Sequence, residues 1–258
     1  MKLFYREVGD PADPAILILH GIFGSSDNWL TVSKAIAEQG YRVLLVDQRN
    51  HGHSPRSAEF DYPAMAADLH ELLLDLGLDK PVLIGHSMGG KTVMHYAVAY
   101  PGTFAKLVIV DIAPKSYPIH HAEIIRGLKA IDLAKLKSRN EADAILSQYE
   151  PSLAVRQFLL KNLFRNEQNQ FDWRLNLPVI EQELEGIGSE LLSEQPVAEP
   201  TLFIRGARSN YIRETDYPRI QQLFPDVTIQ TIADAGHWVQ AEKPAEFVAV
   251  LMKFLTPG

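Results

Sequence analysis

Six short apolar runs recur along the chain: AILIL at 15–19, YRVLLV at 41–46, PVLI at 81–84, KLVIV at 106–110, TLFI at 201–204 and VTIQTI at 227–232. Runs this short and this apolar suit strands covered on both faces, the condition of a parallel sheet. Amphipathic or alanine-rich helical patterns lie between them. Trp29–Gln39 stops at Gly40, Pro63–Leu76 at Gly77 and Met88–Tyr100 before Pro101, while Pro244–Leu255 closes the chain. Glycine and proline just past a periodic segment are helix-stop signals. Strand and helix in alternation predict an α/β protein with a mostly parallel, doubly wound sheet.

One segment breaks the alternation. From about Lys115 to Glu199 there is no convincing strand, but helical patches cover His121–Ile131, Arg139–Tyr149, Leu153–Phe164 and Pro178–Leu192. Pro114, Pro118, Pro196 and Pro200 stand near its edges. The expectation is a sheet core made of residues 1–114 and 197–258, with a helical cap, 115–196, inserted over the strand ends. His120 and His121 open the insertion as solvated side chains.

Composition removes several classes of function. With no cysteine among 258 residues, disulfides, thiolate metal sites and a cysteine nucleophile are excluded. A formal net charge of −7 argues against a phosphate-backbone partner, so nucleic acid is not expected. The N-terminus MKLFYREVGD is charged within six residues and lacks the apolar stretch of a signal peptide. No window approaches ~18 consecutive apolar residues, so no membrane span is expected and the default location is the cytoplasm. Oligomeric state is left between monomer and homodimer.

The stretch LIGHSMGGKTV, residues 83–93, sets Ser87 between Gly85 and Gly89, just after a buried strand and just before a helix. A nucleophile elbow has that context: a sharp strand-to-helix turn that lifts a serine hydroxyl above the sheet. Without Cβ atoms at 85 and 89, strand and helix can approach closely enough to turn. A serine needs a base, and the base needs an orienting group. His237, in ADAGHWVQAEKP, follows the last strand and precedes a helix, where strand carboxyl ends build the site. His86 is expected to shape the pocket, and NHGHS at 50–54 is read as turn chemistry rather than a metal site. Oxyanion donors are expected from the backbone N–H of Met88, the residue after the nucleophile, and from the loop HGIFGS at 20–25. Ile22 is the choice there, with Phe23 as fallback.

HGIFGS, DQRNHGHSP, GHSMGG and AGHW, in that order and spacing, resemble the α/β-hydrolase superfamily. VDQRNHGHSPR, YPAMAADL, VDIAP, QFLLKNLF and GHWVQAEKP make the chain similar, over almost its whole length, to YbfF-type bacterial carboxylesterases. The resemblance implies the α/β-hydrolase fold, a helical cap, and cofactor-free hydrolysis of small esters or thioesters. It makes Ser87 the nucleophile and His237 the base, and implies a structural ion pair for Asp47 and Arg49. The chain departs from the superfamily at one place. Where many members carry their acid, RGARSN puts Ser209, which cannot hold charge. Asp111, at the end of KLVIVD, is then the candidate acid, as the resemblance to YbfF-type enzymes implies; Asp234 and Asp216 are the next choices. Asp111 could instead simply cap the chain where it leaves the sheet. Ser209 is expected to assist His237 by a hydrogen bond. Phe23, His86, Ser209 and Trp238 are the candidate substrate contacts, and no metal or cofactor is expected. Phe158, Leu159, Phe164 and Trp173 could line an acyl pocket or form the cap's own core. The predicted activity is two-step ester hydrolysis; an acyl-CoA thioesterase, a C–C bond hydrolase or a ligand receptor on the same fold are the alternatives.

Overall fold

The computed structural model describes residues 1–118 and 121–256; His120 lies outside the described residues. Strands β1 (Tyr5–Val8), β2 (Ala15–Leu19), β3 (Arg42–Val46), β4 (Val82–His86) and β5 (Lys106–Val110) come first. A short hairpin, β6 (Leu163–Arg165) and β7 (Phe171–Trp173), follows, and then β8 (Thr201–Gly206) and β9 (Val227–Ile232). The helices in the first part are α1 (Leu30–Ala37), α2 (Tyr62–Asp75) and α3 (Met88–Ala99). Between β5 and β8 lie α4 (Ala122–Ala130), α5 (Arg139–Leu146), α6 (Leu153–Leu160), α7 (Leu177–Gln182) and α8 (Leu184–Gly188). The chain ends with α9 (Tyr217–Leu223), α10 (Val239–Glu242) and α11 (Pro244–Leu255).

Among the described residues the main sheet has seven strands in the order β1-β3-β2-β4-β5-β8-β9, with β1 antiparallel to β3 and every other pairing parallel. The apolar runs are continuous because both faces are covered. Ile16, Ile18, Ile84 and Val108 pack with Val32, Ile36 and Phe247 on one side. Their sequence neighbours Leu17, Leu19, Leu83 and Leu107 pack with Leu69, Val93 and Phe104 on the other. Successive side chains of a strand point to opposite faces, so alternate residues feed two separate cores. A third apolar cluster joins Ile125, Leu128, Leu146, Leu159 and Ile180 of the stretch between β5 and β8 to Ile22, Phe23, Tyr62 and Met88 at the strand ends. That stretch therefore lies over the carboxyl edge of the sheet. The chain moves outward from β2 to β3 and then returns to β4 on the other side of β2. The loops after β2 and β4 thus flank the switch point where open α/β sheets bind ligands.

Sequence and structure differ at four places. The edge strand β1, YREV, carries two charges in four residues and has no apolar run to reveal it. Charged, half-exposed edges are how sheets avoid pairing with other molecules. The region read as free of strands holds the β6–β7 hairpin, whose three-residue arms are too short for a periodic signal; Leu153–Phe164 accordingly splits into α6 and β6. Pro178–Leu192 is two short helices, α7 and α8, that end at Gly188. The ion pair expected between Asp47 and Arg49 does not form. Arg49 pairs with Asp68 of α2 (Nε–Oδ2 2.6 Å, Nη2–Oδ1 2.9 Å). Asp47 instead accepts the backbone N–H groups of Ser26 (2.6 Å) and His53 (2.8 Å), a carboxylate satisfied by two turns rather than by a cation. No helix among the described residues is long and apolar enough to cross a membrane.

Candidate active site

The elbow after β4 is strained. Ser87 has φ 53° and ψ −118°, outside the regions that L-residues ordinarily occupy, and α3 begins at the next residue. Glycine is required on both sides. A Cβ at Gly85 would stand 2.2 Å from the Gly89 carbonyl oxygen, and one at Gly89 would stand 2.4 Å from that of Leu19. The backbone is held in this shape by the Ser87 N–H donating to the Val110 carbonyl (3.0 Å).

Asp111, the first residue after β5, is fully buried and also has a positive φ, 50°. Its carboxylate collects three donors. Oδ1 accepts the Gly206 N–H at 3.1 Å. Oδ2 accepts His237 Nδ1–H at 2.7 Å, and the same oxygen takes the Ser209 hydroxyl in a short hydrogen bond. A carboxylate on Nδ1 selects the tautomer of the neutral ring in which Nε2 is the acceptor. Asp216 is engaged with Lys115 (2.6 Å), and Asp234 is exposed, so neither of the other carboxylates meets the imidazole. The expected hydrogen bond from Ser209 to His237 does not form. The serine hydroxyl is spent on Asp111 behind the imidazole, and Ser209 is absent from the walls of the two cavities around Ser87.

Two cavities meet at Ser87. The larger, about 200 Å³, has Ser87, His237, His86, Phe23 and Trp238 in its wall, with Phe158 and Leu159 contributed by α6. The smaller, about 50 Å³, has Ser87, Ile22, Met88, Tyr62, Tyr117 and Lys91. Among the described residues neither Ser87 Oγ nor His237 Nε2 makes a hydrogen bond, and both atoms belong to residues of the larger cavity's wall. Apo sites commonly hold nucleophile and base at longer range than in the reacting complex. Among the described residues no lysine, arginine, aspartate or glutamate lines the larger cavity. Phe164 and Trp173 stay out of both cavities; Trp173 is buried in the apolar cluster under the insert, and Phe164 lies beneath Arg174.

The loop after β2 lies against the elbow because residue 21 is glycine. A Cβ there would stand 3.1 Å from His86 Nδ1 and 3.2 Å from Ser87 Cβ. The Phe23 N–H donates to His51 Nε2 at 3.2 Å, so the fallback oxyanion donor is already engaged. Burial lowers the His51 pKa to about 3, which keeps that ring neutral and able to accept. No such partner takes the N–H of Ile22 or of Met88, the first helical residue of α3, among the described residues. The first N–H groups of a helix have no partner within it, and they favour negative charge.

His86 does more than border the cavity. Burial drives its pKa well below the usual histidine value, so the ring is neutral, and its Nε2–H donates to the His237 carbonyl at 2.8 Å. His86 thereby pins the backbone that carries the imidazole. Sequence reasoning missed Tyr211. Its ring stacks on the His237 imidazole with centroids 3.9 Å apart and planes 19° apart. Its carbonyl accepts the Tyr117 hydroxyl at 2.6 Å. Nothing in the linear spacing of RSNYIRE signals this contact.

The geometry matches proteins of known class. The family described as having the alpha/beta hydrolase fold matches residues 14–133. The sn-1-specific diacylglycerol lipase ABHD11 of Mus musculus is 42% identical over 254 residues, spanning 96% of this chain and 82% of the relative. Esterase YbfF of Escherichia coli strain K12 is 38% identical over 242 residues, 93% of this chain and 92% of the relative. Among solved structures, a marine microorganism esterase superposes with TM-score 0.95 at 39% identity, over 98% of this chain and 99% of that one. With an elbow serine at the switch point of a mostly parallel sheet and relatives that match along nearly its whole length, the chain belongs to the α/β-hydrolase family.

Proposed function

We propose that this protein is a carboxylic ester hydrolase that works by acyl transfer through Ser87. The observation that carries this reading is the 2.7 Å bond between His237 Nδ1 and Asp111, with Ser87 in the wall of the same cavity as the imidazole. His237 Nε2 takes the proton as Ser87 Oγ forms a bond to the ester carbonyl carbon. The charge that develops on the carbonyl oxygen is held by the N–H groups of Ile22 and Met88. Asp111 keeps the Nδ1 proton in place and stabilises the imidazolium. The imidazolium then protonates the leaving alcohol as the C–O bond breaks. A water molecule, deprotonated by the same nitrogen, releases the acid and restores the serine.

Residues 115–196 serve in this account as a cap on a core of 1–114 and 197–258, bringing Phe158 and Leu159 to the substrate. Phe23, Trp238 and His86 complete the wall. A larger cavity without lysine, arginine or carboxylate suits a neutral ester of small to medium size. The relatives named as esterase and as diacylglycerol lipase are consistent with that class. The test is a panel of p-nitrophenyl esters of increasing acyl length, with acyl-CoAs alongside and Ser87→Ala as control. Ester cleavage that disappears with the serine supports the reading. Cleavage that survives its removal, or acyl-CoAs hydrolysed far faster than any ester, contradicts it.

A further inference from the structure

Lys91 is four residues after Ser87 on α3 and only 1% exposed, yet among the described residues no carboxylate pairs with it. A buried ammonium is costly unless every N–H is satisfied. Here three donors meet three carbonyls. Nζ donates to Lys115 (2.8 Å), to Gly188 (3.2 Å) and, in a short bond, to Ser189. Lys115 lies where the chain leaves the sheet for the insert, and Gly188 and Ser189 lie where the last insert helix ends. The two roots also bond to each other, the Tyr117 N–H donating to the Gly188 carbonyl at 2.8 Å. Two aromatic faces complete the ammonium's surroundings: Tyr117 at 4.9 Å and Tyr62 at 5.9 Å from ring centroid to Nζ.

We infer that Lys91 is a positioning residue: its ammonium fixes both roots of the insert on the nucleophile helix and so shapes the smaller cavity beside Ser87, which receives the acyl group. The assignment of that cavity follows from His237, which lines the larger cavity and not the smaller. The leaving alcohol takes its proton from His237 and so departs on the larger cavity's side, leaving the acyl chain to the other. The root contacts also reach the imidazole, since the Tyr117 hydroxyl holds the Tyr211 carbonyl and Tyr211 stacks on His237.

Burial lowers the Lys91 pKa to about 8. Glu190 beyond the exit root favours the charged form. His95, one turn along α3, is held down to about 4 by burial and by Lys91 itself, and stays neutral. Burial pushes the hydroxyls of Tyr62 on α2 and of Tyr117 well above their usual value, so both remain neutral. Lys115 is paired with Asp216. Proton loss from Lys91 therefore leaves two N–H groups and a lone pair facing three carbonyls, and the roots loosen.

This inference rests on the hydrolase reading, and the experiment separates the two. The quantity measured is the ratio of kcat/KM for p-nitrophenyl octanoate to that for p-nitrophenyl acetate, from pH 6.5 to 9.5; ionisations common to both substrates cancel in it. In the wild type the ratio falls at least fivefold through about pH 8. In Lys91→Met it is at least tenfold lower than wild type at pH 7 and flat with pH, and in Lys91→Arg, which stays charged, it is flat. A wild-type ratio that does not change with pH, or a Lys91→Met ratio equal to wild type, overturns the proposal. The wild-type profile decides the matter even if both variants fail to fold. If neither ester is cleaved, it is the hydrolase reading that has failed.

Discussion

The carboxyl ends of β5 and β8 are neighbours in the sheet and meet at the Asp111 carboxylate, but they are built for opposite electrical roles. The β5 end presents Asp111, a buried carboxylate on a left-handed backbone, accepting from His237, Gly206 and Ser209. The β8 end offers that carboxylate two donors: the Gly206 N–H and the Ser209 hydroxyl. Had both carried carboxylates, two like charges would share one buried space, and one would have to take up a proton. In this chain one strand end holds the carboxylate and the other donates to it.

That contrast can be broken from either side. Replacing the group that both ends serve has the largest effect: Ser87→Ala lowers kcat by about 10⁶, on the scale set by a serine protease. Asp111→Asn leaves the imidazole in the wrong tautomer and costs about 10⁴ in kcat. Ser209→Ala removes one neutral donor to a charge, an interaction worth about 1.5–3 kcal/mol. The expected loss is about 12- to 160-fold, much less than for Asp111. Equal losses at 111 and 209 would erase the distinction between charge and donor. Moving the carboxylate, in Asp111→Ser with Ser209→Asp, should recover at least tenfold over Asp111→Ser alone, measured as kcat/KM on p-nitrophenyl acetate. The smallest effect is that of Tyr211→Leu, where loss of a ring stack worth about 0.5–1.5 kcal/mol lowers kcat/KM by roughly 2- to 12-fold.

The same two strand ends show what a sequence carries. The strands were legible because a parallel sheet covered on both faces needs unbroken apolar runs, and those runs end where chemistry begins, at His20, Asp47, Ser87 and Asp111. The glycines at 85 and 89 marked the elbow because no other residue fits there. The partners of side chains across the fold were not legible. Arg49 finds Asp68 nineteen residues on, and Ser209 bonds the carboxylate instead of the imidazole, because such pairings depend on how loops from separate strands fold together. Tyr211 and Lys91 left no trace for the same reason: each acts through contacts made between distant segments. The β6–β7 hairpin and the charged β1 were missed because three- or four-residue strands carry too few apolar positions to show a period.

The central claim is that the Ser87 hydroxyl attacks the ester carbonyl and is acylated. Rapid quenching of the protein with p-nitrophenyl acetate, followed by mass spectrometry of its peptides, tests it directly. The account predicts a burst of p-nitrophenol matched by one acetyl group on the peptide that contains Ser87, absent from Ser87→Ala. Turnover with no acetyl group on that peptide at any quench time, and an undiminished rate in Ser87→Ala, would contradict it.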